Sequence, residues 1–180
     1  FYRALAHGAA HASGIYGGAE YALTFGKNEM AGYHTGPGSH LGYLTGARHS
    51  HLDSAGYSLD QKAAQKGETL EPEKTADNLL KEERWRQVLT SLVVCLFARG
   101  LYTEDAVLRS LENAGIKRTS EDLARLGAET LHLKNEFKRR EGFDFASLPI
   151  PARIFKTLSP LGQIDEGFMR KAIAHFAEKV

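Results

Sequence analysis

Residues 85–97 read Trp-Arg-Gln-Val-Leu-Thr-Ser-Leu-Val-Val-Cys-Leu-Phe. Apolar residues recur in this stretch at three- and four-residue steps, which predicts a helix with one buried face. Thr75 is a candidate N-cap and Gly100 follows the pattern, so we expect this helix to run from Thr75 to about Arg99. Near its end the apolar residues spread around the whole circumference, and we expect that end to lie inside the protein.

Further helical patterns follow this stretch. Thr103 is expected to cap a short helix that Gly115 closes, and Thr119 or Ser120 is expected to start the next one. Residues 166–179 predict a last amphipathic helix. We therefore expect residues 73–180 to form a helical bundle, and the predicted fold class is mainly α. The helix after Thr119 carries one apolar stripe, formed by Leu123, Leu126, Thr130, Leu133 and Phe137.

The first 72 residues follow a different pattern. They hold most of the glycines and six of the eight histidines, so the backbone is expected to turn often. We expect a helix over 2–13, a short strand over 21–25 and an exposed connection over 61–74. Residues 27–60 show no sustained period and are predicted to be a long Gly/His-rich loop segment. Loops of this length are uncommon and usually functional.

Charge and cysteine content limit the class of protein. The formal net charge is +1 and the isoelectric point is about 8.0, so neither nucleic acid nor an anionic membrane surface is an expected partner. No apolar run approaches the ~18–20 residues that a membrane span requires. A single cysteine forms no internal disulfide, which predicts a reducing, cytoplasmic location. The first residues show neither an initiator Met nor a signal-peptide pattern, so we expect a fragment or a processed chain.

Four histidines lie close together in the glycine-rich segment, namely His34, His40, His49 and His51. If residues 49–51 are extended, two imidazoles point to one side and a metal ion could take both. They could instead be loop histidines that bond backbone carbonyls, since no cysteine or carboxylate stands at a diagnostic spacing. A third interpretation is proton transfer, because imidazole titrates near neutrality. The glycines around Pro37 do not match a phosphate-binding loop, which favours a role in turns.

Cys95 also permits two interpretations. A helical cysteine among valine, leucine and phenylalanine is usually a small buried hydrophobic residue. A catalytic thiolate would need a neighbouring base, and Arg99, one turn away, is not one. An iron–sulfur cluster normally needs four thiolates, and this sequence supplies one. A cluster would therefore require three ligands from outside these residues.

Several motifs resemble, in consistent order, the C-terminal part of the tungsten-containing aldehyde ferredoxin oxidoreductase family. They are Ala-Gly-Tyr-His-Thr-Gly-Pro at 31–37, Leu-Thr-Gly-Ala-Arg-His-Ser-His-Leu-Asp at 44–53, Leu-Val-Val-Cys-Leu-Phe-Ala-Arg-Gly at 92–100, Asn-Glu-Phe-Lys-Arg-Arg-Glu-Gly-Phe at 135–143, and Leu-Pro at 148–149 followed by Arg153. The resemblance implies that residues 1–72 and 73–180 together form the last, helical domain of a larger, three-domain enzyme. It also implies that the remaining domains or subunits of that enzyme are partners.

The resemblance further implies a [4Fe-4S] cluster beside a tungsten (or molybdenum) ion held by two pterins. The family's middle domain supplies three cluster cysteines, and a motif Asp-x-x-Gly-Leu-Cys in the last domain supplies the fourth. Cys95 falls on that fourth cysteine. The pterin part of the motif is altered, because Thr90 replaces the Asp, Val93 the Gly and Val94 the Leu. Thr90 keeps a hydrogen-bonding group without charge, and Val94 keeps its backbone, so both are candidate pterin contacts.

The family also places a histidine near the metal. His51 lies nearest that position, one residue closer to Arg48 than expected, and His49 is the second candidate. The implied role is proton transfer or hydrogen bonding at the metal or substrate oxygen. The motif around Arg48 is similar to a divergent branch that includes aromatic-ring reductases, so the implied substrates are aldehydes or related carbonyl or aromatic compounds. Lys138 stands where the family has Asn.

The enzyme that the resemblance implies would pass electrons to a ferredoxin-like carrier. Two other hypotheses remain open. The chain could be a non-catalytic helical partner subunit, or a degenerate relative, that binds the chain carrying the cofactors. The loss of the motif Asp at Thr90 favours that hypothesis. A histidine-bound metal protein outside the family ranks last.

Overall fold

The computed structural model of the chain describes residues 2–25, 28–47 and 55–180. The elements of this part are mostly helical, and the predicted mainly α fold is confirmed. In chain order they are α1 Tyr2–Tyr16, β1 Thr24–Phe25, β2 Asn28–Glu29, α2 Pro37–Thr45, α3 Gly56–Lys66, α4 Pro72–Ser91, a 3-10 helix Leu96–Leu101, α5 Glu104–Asn113, α6 Ser120–Arg140, α7 Arg153–Lys156, β3 Leu158–Ser159, β4 Gly162–Gln163 and α8 Glu166–Glu178. The strands form two antiparallel hairpins, β1 with β2 and β3 with β4.

Helix α4 lies at the centre of the fold and packs against α6 and α8, while α2 packs against α3 and α8. Leu79 of α4 is completely buried, which contributes ~1.5–3 kcal/mol to folding. The main core draws residues from both sides of position 72, including Phe25, Met30, Leu41, Leu44, Leu79, Leu131, Met169 and Phe176. A second, smaller cluster joins the end of α4 to α5 and α6 through Val88, Leu89, Val107 and Leu123.

Two helix pairs pack so closely that only glycine fits between them. A Cβ atom added to Gly56 of α3 would lie 1.9 Å from the carbonyl oxygen of Gly38 in α2. A Cβ atom added to Gly127 of α6 would lie 2.4 Å from the carbonyl oxygen of Arg84 in α4. These glycines therefore fix how closely α2 approaches α3 and α4 approaches α6.

Several predicted helix boundaries are confirmed. The Thr103 side chain accepts a hydrogen bond from the Ala106 N–H and caps α5. Thr119 caps α6 in a reciprocal pair with Asp122, which is a capping box. Gly115 follows α5 with a φ of 78°, as a helix-ending glycine does.

Helix α4 differs from the prediction at both ends. It begins at Pro72, with Glu71 rather than Thr75 at its N-cap, because proline is already suited to the first helical position. It ends at Ser91 instead of about Arg99, and residues 96–101 form a separate 3-10 helix. The prediction that this end lies inside the protein is wrong, since Phe97 is 79% exposed and Leu101 76% exposed.

The predicted stripe on α6 is wrong for most of its members. Leu123 is buried, but Leu126, Leu133 and Phe137 are exposed. The buried face instead contains Leu123, Gly127, Leu131 and Asn135. Glycine and asparagine carry no hydrophobic signal, so the sequence pattern pointed to the wrong side of this helix.

The predicted loop over 27–60 contains helices α2 and the start of α3. All nine residues of α2 are buried, so it has no polar face and no amphipathic period that sequence analysis could detect. The predicted connection over 61–74 is also wrong in extent, because α3 continues to Lys66 and α4 starts at Pro72.

Candidate functional site

A buried carboxylate caps the N-terminus of α2. The N-cap residue Gly36 has no side chain to do this, and Asp60 of α3 takes its place. Asp60 accepts hydrogen bonds from the N–H groups of Gly38 (2.9 Å) and Ser39 (2.7 Å) and from the Thr35 hydroxyl (3.0 Å). Burial raises the pKa of Asp60 to about 6, and the three hydrogen bonds oppose that rise. A negative charge here also suits the positive end of the helix dipole.

A partly buried cation caps the other end of α2. The Lys138 Nζ donates to the carbonyl oxygens of Thr45 (3.0 Å) and Gly46 (2.9 Å), and it lies 3.7 Å from the centroid of the Phe143 ring. The last carbonyls of a helix have no partner within it, and burying one unpaired costs ~1–3 kcal/mol. Burial lowers the pKa of Lys138 to about 8, while the charge of Glu83 opposes the decrease.

His40, in the middle of α2, forms a hydrogen bond with His34, which precedes the helix. The His40 Nε2 lies 2.8 Å from the His34 Nδ1, and the His34 Nε2 lies 2.9 Å from the Thr157 carbonyl oxygen. A carbonyl only accepts, so the neutral His34 carries its proton on Nε2 and accepts from His40 through Nδ1. The His40 Nδ1 is then an unprotonated, buried acceptor, and no other described residue bonds it. Burial lowers the pKa of His40 to about 3, with a further contribution from His34.

Helix α4 ends in a left-handed turn at Val93. The Val93 N–H donates to the Thr90 carbonyl (3.1 Å), and the Val94 N–H points to the Leu89 carbonyl (3.5 Å). This is the bonding pattern of a Schellman cap, whose left-handed position glycine usually occupies. Val93 has a φ of 57°, and a β-branched residue is strained in that conformation. Val93 stands where the motif Asp-x-x-Gly-Leu-Cys has its glycine.

The chain after this turn alternates between inward and outward side chains. Leu92, Val94 and Leu96 pack against the second core cluster. Val93, Cys95 and Phe97 face outwards, and Cys95 is an exposed free thiol. The interpretation of Cys95 as a buried core residue is therefore wrong.

The two candidate pterin contacts flank this turn. Thr90 is half-buried, and its hydroxyl donates to the Arg86 carbonyl (2.7 Å), so only the acceptor capacity of its oxygen is left for a ligand. Val94 is half-buried, and its side chain belongs to the second core cluster. The turn thus lies between Thr90 and Cys95 in the chain, and the side chain of Val94 faces the core while that of Cys95 is exposed.

The two candidate catalytic residues, His49 and His51, lie outside the described residues. Within the described ranges, no three His, Cys, Asp or Glu side chains come close enough to hold a metal ion. The residues that the structure describes therefore offer a single exposed thiol and a histidine pair bonded to each other.

A model of the family described as "Aldehyde ferredoxin oxidoreductase, domains 2 & 3" matches residues 1–177. The chain belongs to the aldehyde ferredoxin oxidoreductase family. Membership confirms the resemblance seen in the motifs and makes this an oxidoreductase-type domain. Comparisons with curated proteins and with solved structures give no match. Among the described residues, no helix combines the length and apolarity needed to cross a membrane.

The buried charges at the two ends of α2 in this aldehyde ferredoxin oxidoreductase domain, Asp60 and Lys138, were not predicted from the sequence. A usable signal for Asp60 existed, because a helix that begins Gly-Pro-Gly cannot cap itself and needs an acceptor from another element. In the sequence, Lys138 stands out only because it replaces the family's Asn. The pairing of His34 with His40 had no sequence signal that separates it from any other pair in the segment.

Proposed function

We propose that this chain is the C-terminal helical domain of a tungsten- or molybdenum-pterin, iron–sulfur oxidoreductase, in which Cys95 supplies one thiolate of a [4Fe-4S] cluster. The observation that carries the proposal is the outward-facing Cys95 thiol. It follows a left-handed turn at the position where the family motif has glycine. A buried thiol in the middle of a helix would have argued against this role.

One thiolate suits a cluster that is shared between domains. A [4Fe-4S] cluster normally takes four cysteines, so the other three would come from the remaining domains or subunits of the enzyme. The neighbours of Cys95 support such a contact, because Val93 is 91% exposed and Phe97 79% exposed. Large apolar side chains that project side by side often mark an interface.

The fit to a pterin is weaker than the fit to a cluster. Thr90 could accept one hydrogen bond from a pterin N–H, whereas the carboxylate of the family motif could accept two. The hydroxyl hydrogen of Thr90 is already used by the Arg86 carbonyl. Val94 could contribute only backbone, because its side chain packs inwards. We therefore propose Thr90 and Val94 as neutral, secondary pterin contacts.

The proposed proton-transfer group is His51, with His49 as the alternative. Imidazole can take or give a proton near neutral pH, and its loss typically lowers the rate by ~10²–10⁴-fold. His40 does not suit this role, since burial keeps it neutral and His34 occupies its Nε2. Replacing His51 and His49 separately with asparagine in the complete enzyme, and measuring kcat, decides between them. Unchanged kcat in both variants would remove histidine from the proposed mechanism.

The proposed substrates are aldehydes or related carbonyl or aromatic compounds. When bound, the metal and cluster would supply the electron transfer between such a substrate and a ferredoxin-like carrier. A cluster-binding thiol must stay reduced, so we propose a cytoplasmic location.

Reconstitution of the separate chain tests the shared cluster. The purified chain is given iron, sulfide and a reductant, and cluster absorbance is followed together with oligomeric state. We expect no stable monomeric [4Fe-4S] centre, because three thiolates are missing, whereas the complete enzyme should carry one. A stable monomeric cluster in this chain would contradict the proposal.

A second candidate function is that of a non-catalytic partner subunit or degenerate relative. The replacement of the motif's Asp and Gly by Thr90 and Val93 favours it. The coding sequence upstream of Phe1 discriminates the two candidates. An open frame with a Cys-x2-Cys-x3-Cys-like stretch would support the enzyme, and a stop codon followed by a separate start would support the subunit.

A further inference from the structure

A pocket of about 670 Å³ lies where α4 meets α6 and the end of α8. Residues of α4 at three- and four-residue steps line it, among them Lys81, Arg84 and Trp85. From α6 it is lined by Ala124 and Ala128, which lie one helical turn apart and are too short to fill the space between the two helices. The volume falls within the range of ~300–1,000 Å³ that is typical of small-molecule sites.

The floor of this pocket is apolar. Leu80 and Val88 of α4 and Leu123 of α6 line it and are almost completely buried. Trp85 is partly buried and packs against the second core cluster. Its indole offers a flat, apolar face on which another planar ring can stack. The pocket therefore suits an occupant with a planar, apolar body.

The charged side chains that line the pocket are mostly basic. The basic ones are Lys81, Arg84, Arg125 and Lys179, and the acidic ones are Asp77 and Glu104. The Asp77 carboxylate is already neutralised, because it accepts from the Lys179 ammonium and from the His175 imidazole (3.0 Å). An excess of positive charge around an apolar floor favours an occupant that carries a negative charge.

Arg84 is the cation best placed to bind such a charge. It is partly buried, and its Nη2 donates to the Lys179 carbonyl oxygen (3.2 Å), which is a neutral group. Among the described residues no carboxylate pairs with it, so most of its five N–H donors are left for a ligand. Its backbone is held in place, because the Arg84 carbonyl packs against Gly127 of α6. A guanidinium can donate two parallel hydrogen bonds to one carboxylate.

We infer that this pocket is a binding site for a small aromatic carboxylate, whose ring stacks on Trp85 and whose carboxylate pairs with Arg84. The site is separate from the proposed cluster and pterin contacts, because Thr90, Val94 and Cys95 do not line it. The inference therefore goes beyond the proposed function and does not depend on it. An acidic segment of another domain is the competing occupant, and binding by the complete enzyme separates the two.

Arg139 provides a matched control for Arg84. It lies in the last turn of α6, and its Nη2 donates to the Val180 carbonyl oxygen (2.9 Å), which follows α8 as the Lys179 carbonyl does. It does not line the pocket. Arg139→Met thus removes the same charge and the same kind of hydrogen bond as Arg84→Met, and a difference between the two variants reports on the pocket.

The test titrates the full chain with cinnamate and, separately, with its neutral analogue cinnamamide. Trp85 is the one tryptophan in the sequence, so its indole N–H gives a single signal in proton–nitrogen NMR spectra. We expect cinnamate to shift this signal and the Ala124 and Ala128 amides saturably. Cinnamamide should bind about 10- to 100-fold more weakly, because hydrogen bonds to a charged group contribute affinity on that scale.

The variants assign this binding to the pocket. Arg84→Met should weaken cinnamate binding by about 10- to 100-fold, and Ala128→Leu should abolish the shifts by filling the space without a change in charge. Arg139→Met should keep the wild-type affinity. Circular dichroism checks that each variant is folded, and the comparison of cinnamate with cinnamamide needs the wild-type chain alone.

Three results of the titration would overturn the inference. They are the absence of a saturable Trp85 shift, equal affinity for the two compounds, and an equal loss of affinity in Arg139→Met. Calorimetry with the complete enzyme adds a fourth measurement, in which cinnamate should again bind with an affinity that depends on Arg84. Cinnamate binding to the separate chain without such binding to the complete enzyme would show that another domain covers the pocket, which would also overturn it.

Discussion

The strain in the turn before Cys95 predicts how a substitution of Val93 changes the free energy of unfolding. Val93 adopts a left-handed conformation that costs an ordinary L-residue ~1–2 kcal/mol, and its side chain is 91% exposed, so it gains little from packing. Glycine removes the strain but loses ~0.5–1 kcal/mol through the greater freedom of the unfolded chain. We therefore expect Val93→Gly to raise the free energy of unfolding by about 0.5–1 kcal/mol.

Urea denaturation of the purified chain, followed by circular dichroism, measures this change. A gain of this size corresponds to roughly 1–4 °C in Tm for a domain of this length. Val94→Gly is the matched control, because Val94 has an ordinary φ and packs against the second core cluster. That variant should lose ~1–2 kcal/mol from lost burial and added flexibility. A Val93→Gly chain that is less stable than wild type, with an unchanged m-value, would refute the assignment of strain to this turn.

Three further predictions concern the helices around the site. Asp60→Asn should destabilise the chain by ~1–3 kcal/mol, because an amide cannot accept from all three donors. Because the pKa of Asp60 is raised to about 6, the difference in free energy of unfolding between wild type and Asp60→Asn should be greatest near pH 4 and should fall as the pH rises to about 6. Denaturation experiments in which this difference grows over that pH range would contradict the raised pKa. On α6, Leu131→Ala should lower the free energy of unfolding by ~2–5 kcal/mol, and Leu133→Ala should lower it by less than about 0.5 kcal/mol. Equal losses would mean that Leu133 is buried, as the predicted stripe had it. The His40 imidazole should stay neutral in nitrogen NMR spectra from pH 8 to 5, and an imidazolium signal there would contradict its burial.

Helices α5 and α6 were predictable from local capping signals, whereas helix α2 was not. The capping box at Thr119 and the cap at Thr103 depend on residues within one turn, so sequence alone locates them. Helix α2 is buried on every side, and the residues that cap it lie 21 or more positions away from the groups they bond, so no local pattern reveals it. Long-range contacts of this kind follow only from the packing of the whole fold.

The candidate site shows the same limit. The motif around Cys95 was recognisable because its residues are neighbours in the chain. The end of α4 was not recognisable, because the apolar residues 92–97 fit a continuing helix as well as a segment whose side chains alternate between core and solvent. The left-handed turn at Val93 ends α4, and the side chains after it alternate between core and solvent, which leaves the thiol exposed. A glycine at that position would have signalled the helix end, and valine concealed it.

The iron content of the complete enzyme tests the central claim most directly. Cys95→Ala should lose most of the iron and acid-labile sulfide of the [4Fe-4S] cluster, because one of about four thiolate ligands is removed. Ser91→Ala, which changes a nearby hydroxyl that bonds only the Gln87 carbonyl among described residues, should keep the wild-type content. Wild-type iron and sulfide content in the Cys95→Ala enzyme, with an unaltered cluster spectrum, would show that this thiol is not a ligand.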